Sequence, residues 1–414
     1  MKIIKGKFDN AKVFTENIDD VTIEQIRTFL DQQFVKGGNV RIMPDCHAGK
    51  GAVIGTIMKI KDKIVPNLVG VDIGCGMLCM EIQKSDIDFE KLDQVIRHFV
   101  PAGQGIRQNP HSFTSNIELS NVIAPFSLDT ATLSLGTLGG GNHFIEVNQT
   151  EDGRLFLVIH SGSRHLGAKV ARFHQKRAID TLRFSKEELK EIIANLKREG
   201  KQNEIQKAIQ SFKTKEVVVP AELSYLEGLQ MEEYFHDLKI AQDYAKWNRA
   251  TMAQVILENM NFLEVGRIDT IHNYVDLDNM ILRKGAISAQ KGELVLIPIN
   301  MRDGSILAEG KGNADWNYSG PHGAGRIFSR TKAKATLNME DFKETMKDVF
   351  TTSVDIDTID ESPFAYKTMN EIIENTKETI EVKQILKPIY NFKSSEYIGG
   401  YKKSNYNKNK GEGN

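Results

Sequence analysis

The chain has 414 residues, is 40% hydrophobic and carries a formal net charge of −1, so it can bury a sizeable core without disulfide staples. Near-neutrality excludes a globally basic nucleic-acid binder and leaves any such contact to a local patch. The three cysteines, Cys46, Cys75 and Cys79, form no disulfide framework and fit a reduced, cytoplasmic setting, and no apolar run reaches the roughly 18 residues of a membrane span.

In chain order, the first segment, MKIIKGKFDN, has no apolar stretch of the secretory kind, and residues 1–20 read as short strands and a turn. VTIEQIRTFLDQQF (21–34) has helical apolar spacing, with Asp20 as the expected N-cap. From Val40 to Glu81, short apolar runs broken by glycine predict buried strands with tight turns. Residues 83–100 read as helix. The stretch 136–170 returns to glycine-punctuated strands, and 169–260, rich in Lys, Glu, Gln and Leu, reads as a helical insertion interrupted near VVVPAEL. Strands and glycines resume from His272 to Arg330, and 339–378 reads as helix with a loop near Pro363. The end, 394–414, is polar and low in complexity, the composition of a flexible tail.

The glycine-dense segments carry His, Cys, Asp or Asn and lie far apart, as expected of one centre assembled from distant strand ends. In VGVDIGCGM, Asp72 and Cys75 share a tight turn and can point at a common ion, and one thiolate can bridge two; a buried turn with a small apolar Cys is the competing reading. Cys79 reads as core. Cys46 is flanked by Asp45 and His47, which suggests a supporting role for Asp45. In GTLGGGNHFIEV, three glycines let the backbone approach phosphate closely, and Asn142, His143 and Glu146 follow. Extended backbone there sets His143 and Ile145 on one face and Asn142, Phe144 and Glu146 on the other. His160 closes an apolar strand before a Ser-Gly-Ser-Arg loop, whereas His165 reads as a helix-start or loop residue. His272, at the end of a weak strand, reads on its own as a satisfied structural histidine.

Together Asp72, Cys75, His143, His160 and His272 offer N, O and S donors suited to Mn²⁺, Co²⁺, Ni²⁺ or Zn²⁺. Five ligands exceed the need of one ion with an open position, so two ions are expected, a pairing that suits phosphoryl chemistry. From Arg283 to Ala335, nine Lys/Arg face four Asp/Glu, an anion-binding surface if it is not simply a solvated face. Arg326 and Arg330, four apart, could share a helical face. His322, in Pro-His-Gly-Ala-Gly-Arg, has small neighbours and adjacent arginine, so its imidazole could attack phosphorus.

These segments resemble the RtcB family of GTP-dependent RNA-splicing ligases. The resemblance rests on MPDCHAGKGAVIGT (43–56), VGVDIGCGM (70–78), GTLGGGNHFIEV (136–147), VIHSGSRHLG (158–167), HNYV (272–275), RKGAISA (283–289), GKGN (310–313), HGAGRIFSR (322–330) and DESPFAYK (360–367). It implies an α/β (α+β) fold: one catalytic domain over 1–393, its sheets surrounding a dinuclear site, with 169–260 an insertion within it. By resemblance, one Mn²⁺ is held by Cys75, His160 and His272 and a second by Asp72, Cys75 and His143. His322 matches the histidine that becomes guanylylated, Asn142 a residue at the GMP phosphate and Glu146 one at the nucleotide. Ser305, Tyr366 and Lys393 match guanine contacts, and Arg330 matches an anion-binding arginine. The implied reaction uses GTP to join an RNA 3′-phosphate or 2′,3′-cyclic phosphate to a 5′-OH, through a GMP–histidine intermediate and a GMP-activated RNA 3′ end. The implied partners are broken RNAs, such as tRNA halves, and an archease-type activator.

Three departures bear on substrate preference. Many members carry an arginine shortly before GTLG, where this chain reads DTATLSLGTLGGG. Asn300-Met301-Arg302-Asp303 replaces a small-residue turn, and the chain continues 21 residues past Lys393. Two rivals remain: a metal-dependent cyclic phosphodiesterase without ligase activity, which needs neither His322 nor a guanine pocket, and a non-catalytic RNA-end binder, which needs no metal ligands.

Overall fold

The computed structural model describes residues 1–84, 86–182, 186–214 and 219–394. The anticipated tail, from 395 onward, lies outside them. The fold is α/β: helices packed on two principal sheets, as the sequence predicts.

The first sheet has six strands in the order Lys2–Lys5, Asn10–Val13, Arg41–His47, Ile54–Lys59, Ile281–Lys284 and Asn273–Asp276. The second has eight. Seven run Leu263–Ile271, Gly76–Gln83, Leu155–Ser161, Phe144–Gln149, Ile380–Lys393, Gly304–Gly310 and Leu294–Asn300; Phe350–Thr351 pairs in parallel with Ile380–Lys393. Side chains alternate across this sheet with period two. Leu78, Met80 and Ile82 join one core with the helix Phe89–Phe99, while Met77 and Cys79 join Leu296, Leu307 and Leu386 in another. The second cluster unites strands from both halves of the sheet, and Leu296 N–H donates to Thr270 Oγ1 at 3.3 Å, so the sheet curls until its outer strands meet.

The helix Gly228–Met260, 33 residues long, ties the two halves together. Tyr234, Leu238 and Tyr244 pack in the core of the six-stranded sheet, and Met252, Val255 and Ile256 in that of the eight-stranded one. Helix also begins earlier than expected: Arg164–Leu182 starts immediately after the Ser-Gly-Ser turn. The helix Asp20–Leu30 is capped not by Asp20 but by Asp19, whose carboxylate accepts from Thr22 N–H at 2.7 Å; Asp20 sits in the first turn, where its charge still suits the helix dipole. The helical reading of 339–378 reduces to Met339–Thr345 and Met369–Thr376, separated by 3₁₀ turns at Ile359–Glu361 and Pro363–Ala365. Pro363 and the Asp-Glu-Ser run before it break what apolar spacing alone suggests. Among the described residues, no helix is long and apolar enough to cross a membrane.

Candidate active site and metal centre

Antiparallel pairing gathers the candidate ligands on one edge of the eight-stranded sheet. Ile271 pairs with Gly76, Gly76 with Ser161, and His160 with Phe144. Cys75 therefore precedes one strand, His272 follows its neighbour, His160 lies near the end of the next and His143 just before the fourth. Asp72 comes from the turn leading into Cys75. Ligands spread over 201 positions of sequence, from Asp72 to His272, thus meet through register alone.

Their donor atoms form a chain. Asp72 Oδ2 lies 3.0 Å from His143 Nε2, which is 3.5 Å from Cys75 Sγ; that sulfur is 3.3 Å from His160 Nε2, itself 3.3 Å from His272 Nε2. Cys75 occupies the middle. His143 Nδ1 lies 2.7 Å from the Leu138 carbonyl and His160 Nδ1 3.1 Å from that of Asn142, which assigns the ring protons to Nδ1 and turns the Nε2 lone pairs inward. Burial, with neighbouring cationic groups, holds His160 and His272 well below the usual imidazole range, so both are neutral as ligation requires. The same burial, reinforced by Asp72, keeps the Cys75 thiol protonated in the absence of a cation. Convergent lone pairs on N, O and S repel one another unless an ion sits among them, and this donor set fits a divalent transition metal. Gly162 is required: a Cβ there would collide with the Asp72 carboxylate.

Two residues of the long helix fix these loops. Arg249, fully buried, donates to the carbonyls of Gly74 (2.9 Å) and Ser161 (3.0 Å) and pairs with Asp269. Asn248 accepts from Gly136 and Thr137 N–H and donates to the carbonyls of Thr137 and Gly162.

His322 lies beside this cluster, its ring centroid 4.9 Å from that of His272. Asp45, on the strand Arg41–His47, has one carboxylate oxygen 2.6 Å from His322 Nδ1; the same oxygen accepts from the backbone N–H of His322 and Gly323. The imidazole is thereby held as the Nδ1–H tautomer with Nε2 free. Gly325, at φ +74°, lets the loop pass directly over the Asp45 backbone.

A cavity of about 240 Å³ is lined by His322, His160, Asn142, Glu146, Tyr366 and Lys393, with Arg326, Arg330 and Glu361. Glu361 organises one wall: it accepts from Lys393 (2.7 Å), Tyr366 (2.7 Å), Arg330 (2.5 Å) and Arg326 (3.3 Å). Burial opposes ionisation of Glu361, but Lys393, Arg330 and Arg326 outweigh it and hold the carboxyl down to about 2. Burial likewise raises Glu146, to about 7, partly offset by Asn391 and Lys393. A second, open cleft on the other side of the metal ligands is lined by Asp72, His143, Arg164 and Asn142.

Of the residues singled out in the sequence, Asp72, Cys75, His143, His160, His272 and His322 come together. Asn142, Glu146, Tyr366, Lys393 and Arg330 line the adjoining cavity. Ser305 does not: it is fully buried behind Gly304, its Oγ without a hydrogen-bond partner. Arg326 and Arg330 share no helix, since helix begins only at Arg330. They converge instead because Arg326 bridges to Tyr366 while both guanidinium groups reach Glu361. His165 is exposed in the first turn of its helix, and Cys79 is core. Sequence reasoning missed Arg249, Asn248, Glu361 and Arg164, although Arg164 stands in the loop that His160 begins and Glu361 in the Asp-Glu pair before Ser-Pro.

Comparison with known proteins agrees with this geometry. The family model described as tRNA-splicing ligase RtcB matches residues 25–127 and 118–394. The chain belongs to the RtcB family. It is 29% identical over 391 residues to the RNA-splicing ligase RtcB of Escherichia coli K12, covering 85% of this chain and 89% of that one. Archaeal tRNA-splicing ligases RtcB are more distant: that of Methanococcus maripaludis is 25% identical over 83% of this chain and 84% of its own, and that of Aeropyrum pernix 23% over 86% and 89%.

Proposed function

We propose that this chain is a GTP-dependent RNA ligase that joins a 3′-phosphate or 2′,3′-cyclic phosphate to a 5′-OH. The observation that carries this reading is His322, tied at Nδ1 by Asp45 and open at Nε2 on a cavity one ring away from the Cys–His cluster. A cyclic phosphodiesterase has no use for such a nucleophile, and an RNA-end binder has no use for the cluster.

Cys75, His160 and His272 would hold one ion and Asp72, Cys75 and His143 the other. Bound there, a pair of Mn²⁺ ions would neutralise charge on the transferring phosphoryl group and hold attacking and leaving oxygens. His322 Nε2 attacks the α-phosphorus of GTP; the N–P bond forms as the bond to pyrophosphate breaks. Asp45 keeps the Nδ1 proton and balances the charge that develops on the ring. Asn142 lies at the phosphate end of the cavity, and Glu146, Tyr366 and Lys393 at the base end, with Ser305 behind them. Arg330, paired with Glu361, adds positive charge to the cavity wall. GMP then passes to the RNA 3′-phosphate, and the 5′-OH displaces it to form the phosphodiester. Arg164, in the open cleft beside Asp72, is suited to the RNA phosphate.

Residues 1–393 form the catalytic unit in this reading, with 169–260 built into it and 394–414 as a polar extension. Broken RNA, tRNA halves included, is the substrate, and an archease-type protein fits as activator. Three buried free thiols suit the cytoplasm. The test is incubation with α-labelled GTP and Mn²⁺ followed by a denaturing gel. Wild type should carry a label that is labile in acid and stable in base. His322→Ala should keep its metal and fold, form no adduct, and still join RNA already bearing a 3′-terminal GMP. Hydrolysis of cyclic phosphate without any adduct would favour the phosphodiesterase instead. A lysine amine could also carry GMP, but Lys284, in the RKGAISA segment, is held by the carbonyls of Lys50 (3.0 Å) and Asn67 (2.7 Å) and does not line the cavity.

A further inference from the structure

Glu146 is clamped from behind. Asn391 Nδ2 donates to its Oε1 at 2.7 Å, and Asn148 Nδ2 to its Oε2 at 3.4 Å. Both asparagines are fully buried, Glu146 is 2% exposed, and neither amide lines the cavity. The placement follows from strand geometry: Asn391 is the cross-strand partner of Glu146, and Asn148 is two residues along, on the same face. An amide nitrogen can only donate, so each carboxylate oxygen meets a donor, and the arrangement suits an ionised acceptor rather than a neutral acid with a proton of its own to place.

We propose that Asn148 and Asn391 are positioning residues that hold Glu146 as an ionised double acceptor and thereby select guanine over adenine at the base end of the cavity. This rests on the nucleotide reading of that cavity. Guanine presents two donors along its pairing edge, N1–H and the N2 amine. Adenine presents the N1 lone pair beside its N6 amine. A carboxylate complements the first and repels the lone pair of the second; only a protonated Glu146 would suit adenine. A mismatch of this kind is heavily penalised where the polar groups are buried. Besides the two amides, the charged and titratable groups around Glu146 are Lys393 on the neighbouring strand and, lining the same cavity, His160, Tyr366, Glu361, Arg326, Arg330, His47 and His322. Burial already brings the Glu146 carboxyl up to about 7, so loss of one donor tips it towards the neutral form near neutrality.

The test measures GTP and ATP binding to the full chain with Mn²⁺ between pH 6 and 9, for wild type, Glu146→Gln, Asn391→Leu and Asn148→Leu. Leucine matches asparagine in bulk and has no donor. In Asn391→Leu the midpoint for GTP binding should move upward by about one pH unit, a roughly fivefold loss near pH 7 that approaches tenfold towards pH 6. ATP should gain relative to GTP, and raising the pH should restore the preference. Asn148→Leu, which removes the longer contact, should shift less, and it reads the same quantities if Asn391→Leu does not fold. Profiles of both leucine variants superimposed on wild type would overturn the inference while leaving the guanine pocket intact. A wild type without preference for GTP, or a Glu146→Gln variant that keeps it, would overturn the pocket reading itself.

Discussion

At the scale of single residues, two side chains carry distinct chemical loads. Cys75 sits between two groups of donors, so Cys75→Ala should bind markedly less Mn²⁺ than His272→Ala, which loses a ligand at one end only. Elemental analysis after desalting decides it, and equal metal in wild type and Cys75→Ala would exclude a bridging thiolate. Asp45 sets the tautomer of His322. Asp45→Asn should retain metal but slow formation of the GMP adduct by about 10²- to 10⁴-fold, read by single-turnover labelling. Glu146 adds a pH signature. Its folded value near 7 lies above the ordinary 4.5, so the folded chain binds the extra proton between those values. Stability is therefore favoured below 4.5 and declines as pH rises through 7. Wild type should lose roughly 2–3 kcal/mol between pH 5 and 8 that Glu146→Gln does not lose, measured by urea unfolding. The candidate metal ligands were legible as a cluster because Cys, His and Asp beside glycines are unusual for a core. Asp45 was half legible, flagged only as a neighbour. Glu361 was not, because a carboxylate before Ser-Pro looks like an ordinary solvated turn until four donors are seen around it.

At the scale of elements, the site is held by its sheet edge and by one helix. Asn248 and Arg249 stand in the stretch that reads as a helical insertion, where the pattern of a buried Asn-Arg pair differs little from that of an exposed one. Their partners lie 86 or more residues away in most cases, beyond the reach of local pattern. Asn248→Ala would leave Gly136 and Thr137 N–H and the Gly162 carbonyl without their partner. We expect a cost of roughly 3 kcal/mol in unfolding free energy, with Mn²⁺ binding weakened at temperatures where the chain is still folded. Unchanged stability would mean that those loops hold themselves. The strands themselves were readable from glycine-bounded apolar runs. Their order was not, since pairing brings together Gly76, Ser161 and Ile271 from three distant segments.

At the scale of the whole molecule, the last described strand, Ile380–Lys393, sits inside the eight-stranded sheet, between Phe144–Gln149 and Gly304–Gly310. A chain ending at Lys393 should therefore keep adduct formation, whereas one that also lacks Lys393 should form less, because Glu361 loses its closest lysine. Equal labelling of the two truncations would remove Lys393 from the nucleotide pocket. The central position of that strand also sets an order of events during synthesis. Elongation delivers roughly 5–20 residues per second, so for many seconds the ribosome exposes a sheet whose two halves have no strand to join them. Neither the base end of the cavity nor the seam of the sheet can exist in that interval. A nascent or prematurely terminated chain can hold metal ligands without a guanine pocket, and bears two raw strand edges that invite pairing with other chains. The nucleotide pocket of this protein thus waits on a strand that lies more than a hundred residues beyond the last candidate metal ligand, His272, so that the two halves of the site form at different times.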